Sequence, residues 1–173
     1  MPRPKKTDPI ILDLPARRMA VVTTKGDPNE VAADAMPALF GSVYTLKFAR
    51  KKQDEALDFK VGCPCARWPD AHLLPKDQWT AHWGIPLPDD VTELPQKVPG
   101  VEVHIETWDY GTVAQILHLG PYSEEGPTIA RLHEFIEENG YQLAGPHEEE
   151  YQSRPEAKNQ KTVVRYQVRK RQG

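Results

Sequence analysis

The chain has 173 residues, 39% of them hydrophobic, and a formal net charge of −3 from 22 basic and 25 acidic side chains. This length and apolar content are typical of one domain with a modest core. An apolar run of about 18 residues is missing, and so is a basic stripe interleaved with aromatic residues, so we predict neither membrane insertion nor nucleic-acid binding. The basic N-terminus lacks the apolar part of a secretory signal, which favours a cytoplasmic protein with a flexible, solvated tail over residues 1–9.

The first half of the chain predicts a strand followed by a helix. β-Branched residues within 9–24 indicate the strand, and Asp27 followed by Pro28 is typical of a helix N-cap and first helical position. Apolar residues at three- and four-residue steps predict a helix over 29–50, and the charged residues 47–55 predict a turn.

Two further strands and a connection complete this half. Residues 57–68 and 78–85 have strand character, and the proline-rich residues 86–100 are the natural link to the second half. Cys63 and Cys65 lie in the first of these strands, separated by one proline, which makes a disulfide difficult. No second cysteine or histidine pair supplies zinc ligands, so we expect small buried side chains and predict neither a metal nor a cofactor.

The second half repeats the same order. A helix is predicted to begin near Pro127 and to end at Gly140, which is expected in the left-handed conformation that caps helices. The extended segments predicted around this helix are residues 101–108, 112–119, 141–153 and 162–169.

This faint repetition suggests a duplicated unit. The sequence therefore predicts a single α+β domain, with a first half over 10–86 and a second half over 101–170. Each half is a strand–helix–strand–strand unit with an antiparallel sheet. Helices would cover one face of the sheet, and a ligand cleft would lie between the halves.

The acidic run at residues 147–153 holds the most informative candidate for chemistry. Strand alternation places Glu149 and Tyr151 on one face, and Glu148, Glu150 and Gln152 on an ordinary solvated face. A carboxylate beside a phenol away from solvent needs a partner, because burying an unpaired charge is costly. Glu149 would then either pair with an arginine such as Arg165, cap a loop, or serve a ligand.

Aromatic side chains are the second feature. Four tryptophans lie in or beside predicted strands, and Trp79 and Trp83 would share a face if their strand is regular. Some of these indoles belong to the core, and the surplus would form a flat-walled pocket for an aromatic or cationic ligand. His118 either binds a ligand or donates to a backbone carbonyl. The predicted ligand-contacting residues are Trp68, Trp79, Trp83, Trp108, His118, Tyr122 and Phe40.

Residues 115–129, QILHLGPYSEEGPTI, with 133–141, HEFIEENGY, resemble the GyrI-like small-molecule-binding family, and more closely its stand-alone bacterial branch. Residues 145–155, GPHEEEYQSRP, are similar to the strand and turn of that branch. In the first half the similarity is thinner and rests on Trp79, Thr80, Pro86 and the Val91–Thr92 pair. Gln152 departs from the apolar residue that is usual at its position.

The resemblance implies a tandem repeat of SHS2-like modules, with Glu149 projecting into the cleft between them. In drug-sensing relatives this acid faces lipophilic cations. Some stand-alone members resemble hydrolases that open the cyclopropane of duocarmycin-type DNA-alkylating toxins. Carried over to this chain, the resemblance implies Glu149 as the acid, Tyr151 beside it and Trp79 as an aromatic wall.

Three functions follow as hypotheses. The first is hydrolytic ring opening of cyclopropanoid genotoxins, as a detoxification or drug-resistance activity, with Glu149 and Tyr151 as catalytic residues. The second is binding or sequestration of a lipophilic cation or another small aromatic molecule without turnover. The third is an interaction with a protein partner, as in gyrase-modulating relatives.

Overall fold

In the computed structural model of the chain, which describes residue 3 and residues 5–172, nine strands and two helices form two compact units. Unit I comprises residues 16–109, and unit II combines the described residues up to Pro15 with the chain from Tyr110 onward. Neither helix in this described part has the length and apolarity that a membrane crossing needs. Each unit carries an antiparallel sheet and one helix, so the predicted α+β class is confirmed.

Unit I contains four strands, paired in the order β3–β4–β2–β5. Strand β2 is buried on both faces, because the consecutive residues 19–22 are all in the core. The strands are β2 (Arg17–Lys25), β3 (Cys65–Trp68), β4 (Thr80–Pro86) and β5 (His104–Trp108).

The helix of unit I, α1 (Pro28–Gln53), begins as predicted: Asp27 is the N-cap, its side chain accepts from the Asn29 N–H at 2.9 Å, and Pro28 follows. The predicted turn over 47–55 is wrong for most of its length, since the helix continues to Gln53. Basic residues in the last turn favour this extension, because they interact well with the negative end of the helix dipole. Asp54 ends the helix, and its carboxylate caps the short 3-10 turn that follows.

Unit II has the strand order β1–β6–β9–β8, with the short β7 paired to the far end of β9. Helix α2 (Glu125–Glu138) packs on the sheet through Leu132 and Ile136, which meet Val164 and Tyr166 of β9 in the core. Gly140 follows the helix with φ +78°, the left-handed conformation predicted for it. The strands are β1 (Ile10–Leu14), β6 (Gly111–Leu119), β7 (Tyr141–Leu143), β8 (His147–Tyr151) and β9 (Lys161–Lys170).

The inner strands of the two units follow the same pairing order, and each unit takes its outer strand from the other half of the sequence. In each unit the strand before the helix lies beside the last strand of the strand–helix–strand–strand set, in the orders β3–β4–β2 and β8–β9–β6. The outer strand of each unit is supplied by the opposite half of the sequence. β1 from the N-terminal half pairs with β6, and β5 from the C-terminal half pairs with β2. The boundaries between the units therefore fall after residue 15 and after residue 109. The repeat pattern in the sequence predicted halves over 10–86 and 101–170.

Two local expectations differ from the structure. Only Cys65–Trp68 of the predicted strand 57–68 is a strand; Cys65 is buried within it, whereas Cys63 precedes it and is half-buried. Within the predicted flexible tail, Lys5 and Asp8 close a turn that Arg131 of α2 holds through a 3.0 Å ion pair with the Asp8 carboxylate. Residues 1, 2 and 4 of that tail lie outside the described residues.

Candidate active site: a pair of buried glutamates

Glu149 lies in the middle of β8 and is 8% exposed, so its carboxylate does not face bulk water. Opposite it in the register of β9 stands Val164, a core residue beneath α2. The alternation along β8 therefore places Glu149 on the face of the sheet that α2 covers. Burial of this carboxylate requires donors around it.

The first donor to Glu149 is His147, two residues earlier and on the same face. The His147 Nε2 lies 2.6 Å from the Glu149 Oε2, and its Nδ1 lies 2.6 Å from the Tyr166 hydroxyl. Burial, followed by the charge of Glu149, raises the pKa of Tyr166, so this hydroxyl remains a donor. The arrangement that satisfies all three groups runs from the Tyr166 O–H to Nδ1, and from Nε2–H to the carboxylate.

Tyr151 supplies the second donor, since its hydroxyl lies 3.3 Å from the other oxygen of Glu149. Burial is the main cause that raises the pKa of Tyr151 well above its usual value, and the charge of Glu149 adds to it. Tyr122, in the turn before α2, packs edge-on against the Tyr151 ring with centroids 5.7 Å apart. The two predicted phenols therefore do meet beside Glu149.

The third group on Glu149 is Glu125, the first residue of α2. It is 7% exposed and hydrogen-bonded to Glu149 through its side chain. Burial, then the charge of Glu149 and this hydrogen bond, raise the pKa of Glu125 to about 9. At neutral pH the buried Glu125 carboxyl therefore keeps its proton, as a carboxyl beside a second carboxylate does.

Two buried oxygen atoms near this pair have no hydrogen-bond partner among the described residues: the Glu125 Oε1 and the Thr162 Oγ1. Thr162 is opposite Tyr151 in the register of β8 and β9, and therefore lies on the same face. Buried polar atoms in native proteins are normally paired, and those that are not often mark a place for water or a ligand. The Glu125 oxygen can thus accept a hydrogen bond from a polar group, and the Thr162 hydroxyl can accept or donate one.

The other face of β8 is not the ordinary solvated surface that strand alternation suggested. Glu148 is 2% exposed; it accepts from the Arg165 Nη1 at 2.7 Å and from the Tyr110 hydroxyl at 3.1 Å. Glu150 lies 3.6 Å from the same guanidinium. Burial lowers the pKa of Arg165, but the charge and hydrogen bond of Glu148, with the charges of Glu150 and Tyr110, together outweigh burial and the pKa is raised. Arg165 therefore pairs with Glu148, and Glu149 is left to His147 and Tyr151.

All four tryptophans lie in unit I. Trp68 and Trp83 are buried in edge-to-face contact with centroids 5.8 Å apart, and the Trp83 indole donates to the Thr24 hydroxyl at 2.9 Å. Trp108 is also buried, beneath the Arg67 guanidinium at 4.3 Å from its ring centroid. Trp79 precedes β4, and its indole donates to the Leu74 carbonyl at 2.9 Å. The regular strand on which the shared face of Trp79 and Trp83 depends begins only at Thr80, one residue after Trp79.

The two remaining predicted ligand contacts occupy different settings. His118 is buried; its Nδ1 lies 2.7 Å from the Thr128 hydroxyl and its Nε2 lies 3.0 Å from the Pro121 carbonyl. Both ring nitrogens thus bind the turn between β6 and α2. The contact with the Pro121 carbonyl is the second of the two roles considered for His118 from the sequence, a hydrogen bond to the backbone. Phe40 lies on α1 in unit I and stacks on Tyr44 at 6.2 Å.

Sequence reasoning missed three groups of the site. His147 had a usable signal, because it alternates with Glu149 and Tyr151 along one strand. Tyr166 had the same signal on β9. Glu125 had none, since an acidic residue in the first turn of a helix is usually there for the helix dipole.

Comparison with known proteins agrees with this organisation. A family model described as GyrI-like small molecule binding domain matches residues 7–170. No curated protein matches the chain in sequence.

Three solved structures share the fold. An uncharacterized conserved protein from Listeria innocua is 28% identical, with a TM-score of 0.83, over 95% of this chain and 93% of the other. A hydrolase from the same organism is also 28% identical, with a TM-score of 0.79 and the same coverage. The EcmrR C-terminal domain, at 14% identity and a TM-score of 0.59, covers 95% of this chain and 98% of its own; at that distance it is a relative in fold alone.

Proposed function

Because the chain belongs to the GyrI-like small molecule binding domain family, we propose that it hydrolyses a small electrophilic molecule with a strained ring, of the cyclopropanoid class. The observation that carries the proposal is the setting of Glu149, a buried carboxylate held by the His147 imidazole and the Tyr151 phenol instead of an arginine or a lysine. A carboxylate neutralised by an arginine is a poor base, and Arg165 is engaged by Glu148. The 28% identical relative that is a hydrolase supports the reaction class.

In this proposal Glu149 takes a proton from a water molecule directed at the ring methylene. General-base assistance of this kind contributes about 10²–10⁴-fold to a rate. The Tyr151 hydroxyl, which stays protonated, would exchange its long 3.3 Å hydrogen bond to Glu149 for one to the substrate oxygen on which charge develops. His147 and Tyr166 would fix the orientation of the base through their two 2.6 Å hydrogen bonds.

The test is incubation of the pure protein with a duocarmycin-class compound in ¹⁸O-labelled water, followed by mass spectrometry of the ring-opened adduct. We expect labelled adduct from the wild type and a loss of about 10²-fold or more in Glu149→Gln. Glu156→Gln removes an exposed carboxylate from the same unit and serves as the matched control. Lack of adduct from the wild type, or equal rates in Glu149→Gln, would remove the proposal.

A second candidate is binding of a lipophilic cation without turnover. Among the described residues no lysine or arginine pairs with Glu149 or Glu125, so the charge of the acid pair is open to a ligand cation. Calorimetry with an aromatic quaternary ammonium ion and its neutral carbon isostere separates the two functions. Tighter binding of the cation, lost in Glu149→Gln and without product, would favour this candidate over hydrolysis.

A further inference from the structure

The two carboxyls of the acid pair occupy different positions and carry different charges. Glu149 projects from the middle of β8 and already accepts from His147 and Tyr151. Glu125 begins α2 on a separate element, hydrogen-bonds to Glu149 and keeps its Oε1 without a partner. One carboxyl is thus an acceptor surrounded by donors, and the other is a buried acid with one unused oxygen.

Titratable side chains from several elements face the pair. Tyr122 precedes α2, Tyr151 and His147 come from β8, and Tyr166 comes from β9. Burial raises the pKa of all three phenols, so they keep their protons. His133 on α2 lies behind Tyr166 with ring centroids 5.0 Å apart, and burial lowers its pKa.

We propose that Glu125 is the proton donor that complements Glu149 during ring opening, so that the two glutamates act as an acid–base couple. The inference rests on the proposed hydrolytic function and adds a residue to it. Its basis is the hydrogen-bonded pair together with the free, buried Oε1 of Glu125 and the unpartnered Thr162 hydroxyl on the same face.

The step balances without any further reactant. The water oxygen bonds to the ring methylene while its proton passes to Glu149. The carbon–carbon bond of the cyclopropane breaks, and its electron pair moves through the conjugated ring onto the carbonyl oxygen. As the water proton reaches Glu149, the single proton of Glu125 leaves its hydrogen bond with Glu149 and passes to that oxygen, which completes the addition of one water molecule. The couple still holds one proton, now on Glu149, and its return across the hydrogen bond to Glu125 restores the starting state.

Glu125→Gln tests this role, because the amide still donates a hydrogen bond to Glu149 but has no proton to transfer. We expect substrate affinity to stay within about 3-fold while kcat falls by about 10²-fold. The fall in wild-type activity at alkaline pH, where Glu125 loses its proton, should vanish from the residual activity. Glu125→Asp, which restores an ionisable acid, should recover part of kcat, and Glu124→Gln, an exposed neighbour, should match the wild type.

A second measurement follows the proton itself. In ¹³C-carboxyl-labelled wild type, one glutamate should remain protonated well above neutral pH, and this signal should be missing from Glu125→Gln. Wild-type kcat and an unchanged pH profile in Glu125→Gln would overturn this inference alone. Absence of turnover in the wild type would instead overturn the hydrolytic function on which it rests.

Discussion

The buried acid at the start of α2 makes the stability of the fold depend on pH, and Glu125→Gln should remove that dependence. The pKa of Glu125 is raised from 4.5 to about 9 by burial and by Glu149. Between those values the folded chain binds one proton more than the unfolded chain does. The free energy of unfolding must therefore fall as pH rises through this range, whereas below it both states are protonated and nothing is lost.

The size of the effect follows from the same pKa. Each tenfold change in proton affinity is worth about 1.4 kcal/mol, so the rise of the Glu125 pKa from 4.5 to about 9 sets an upper limit of about 6 kcal/mol. Local relaxation and water entry reduce the cost of a buried charge, and the effective dielectric inside proteins is well above that of a dry interior. We expect a measured loss of about 2 kcal/mol in the wild type between about pH 5 and about pH 8.

Urea unfolding at a series of pH values measures this directly. Glu125→Gln should equal the wild type near pH 5 and exceed it by about 2 kcal/mol near pH 8, because glutamine stays neutral in both states. Glu124→Gln makes the same change of charge at an exposed neighbour and should run parallel to the wild type. If the unfolding free energy of Glu125→Gln followed the same pH dependence as that of the wild type, Glu125 would not keep its proton in the folded chain.

Three further substitutions test the surroundings of the site. Arg165→Met should cost about 3–5 kcal/mol in urea unfolding, since it removes the guanidinium that neutralises the buried Glu148 charge, and the double variant with Glu148→Gln should recover most of that loss. His118→Ala should cost about 1–3 kcal/mol and leave ligand affinity unchanged in calorimetry, because both ring nitrogens serve the turn; a selective loss of affinity would return His118 to the ligand site. Gly84→Ala places a methyl group 3.0 Å from a buried indole and should lower the thermal midpoint, at a cost of about 1–3 kcal/mol, whereas Gly62→Ala, with its nearest contact at 3.5 Å, should change it little.

Strand alternation predicted the central residue of the site and misjudged its neighbour. A period of two correctly separated Glu149 and Tyr151 from Glu148 and Glu150. It does not say which face another element covers, and here both are buried at Glu148 and Glu149. The arginine expected for Glu149 pairs one residue earlier, because Arg165 is opposite Glu148 in the strand register.

Helix and strand limits were predictable where local chemistry sets them. Asp27 with Pro28 fixed the start of α1, and Gly140 fixed the end of α2. Glu125 was out of reach for sequence reasoning, because its proton comes from a hydrogen bond between a helix and a strand that lie 24 positions apart in the chain. Contacts of that kind depend on tertiary packing, which local propensity does not record.

The exchanged outer strands have a consequence for how the chain folds as it is made. Ile10 of β1 finds its neighbour only at Gln115 of β6, so the ribosome must deliver most of the polypeptide before this edge of unit II is closed. Until β6 is synthesised, the apolar strand β1 has backbone N–H and C=O groups without strand partners. Exposed strands of this kind favour wrong association of nascent chains. Cleavage of the chain in the proline-rich linker would leave β1 on the N-terminal piece and its partner β6 on the C-terminal piece. It would likewise separate β5 from its partner β2, so each piece would lack its outer strand. Neither half of the sequence is therefore a separable module, because only the two pieces together contain a complete set of strands.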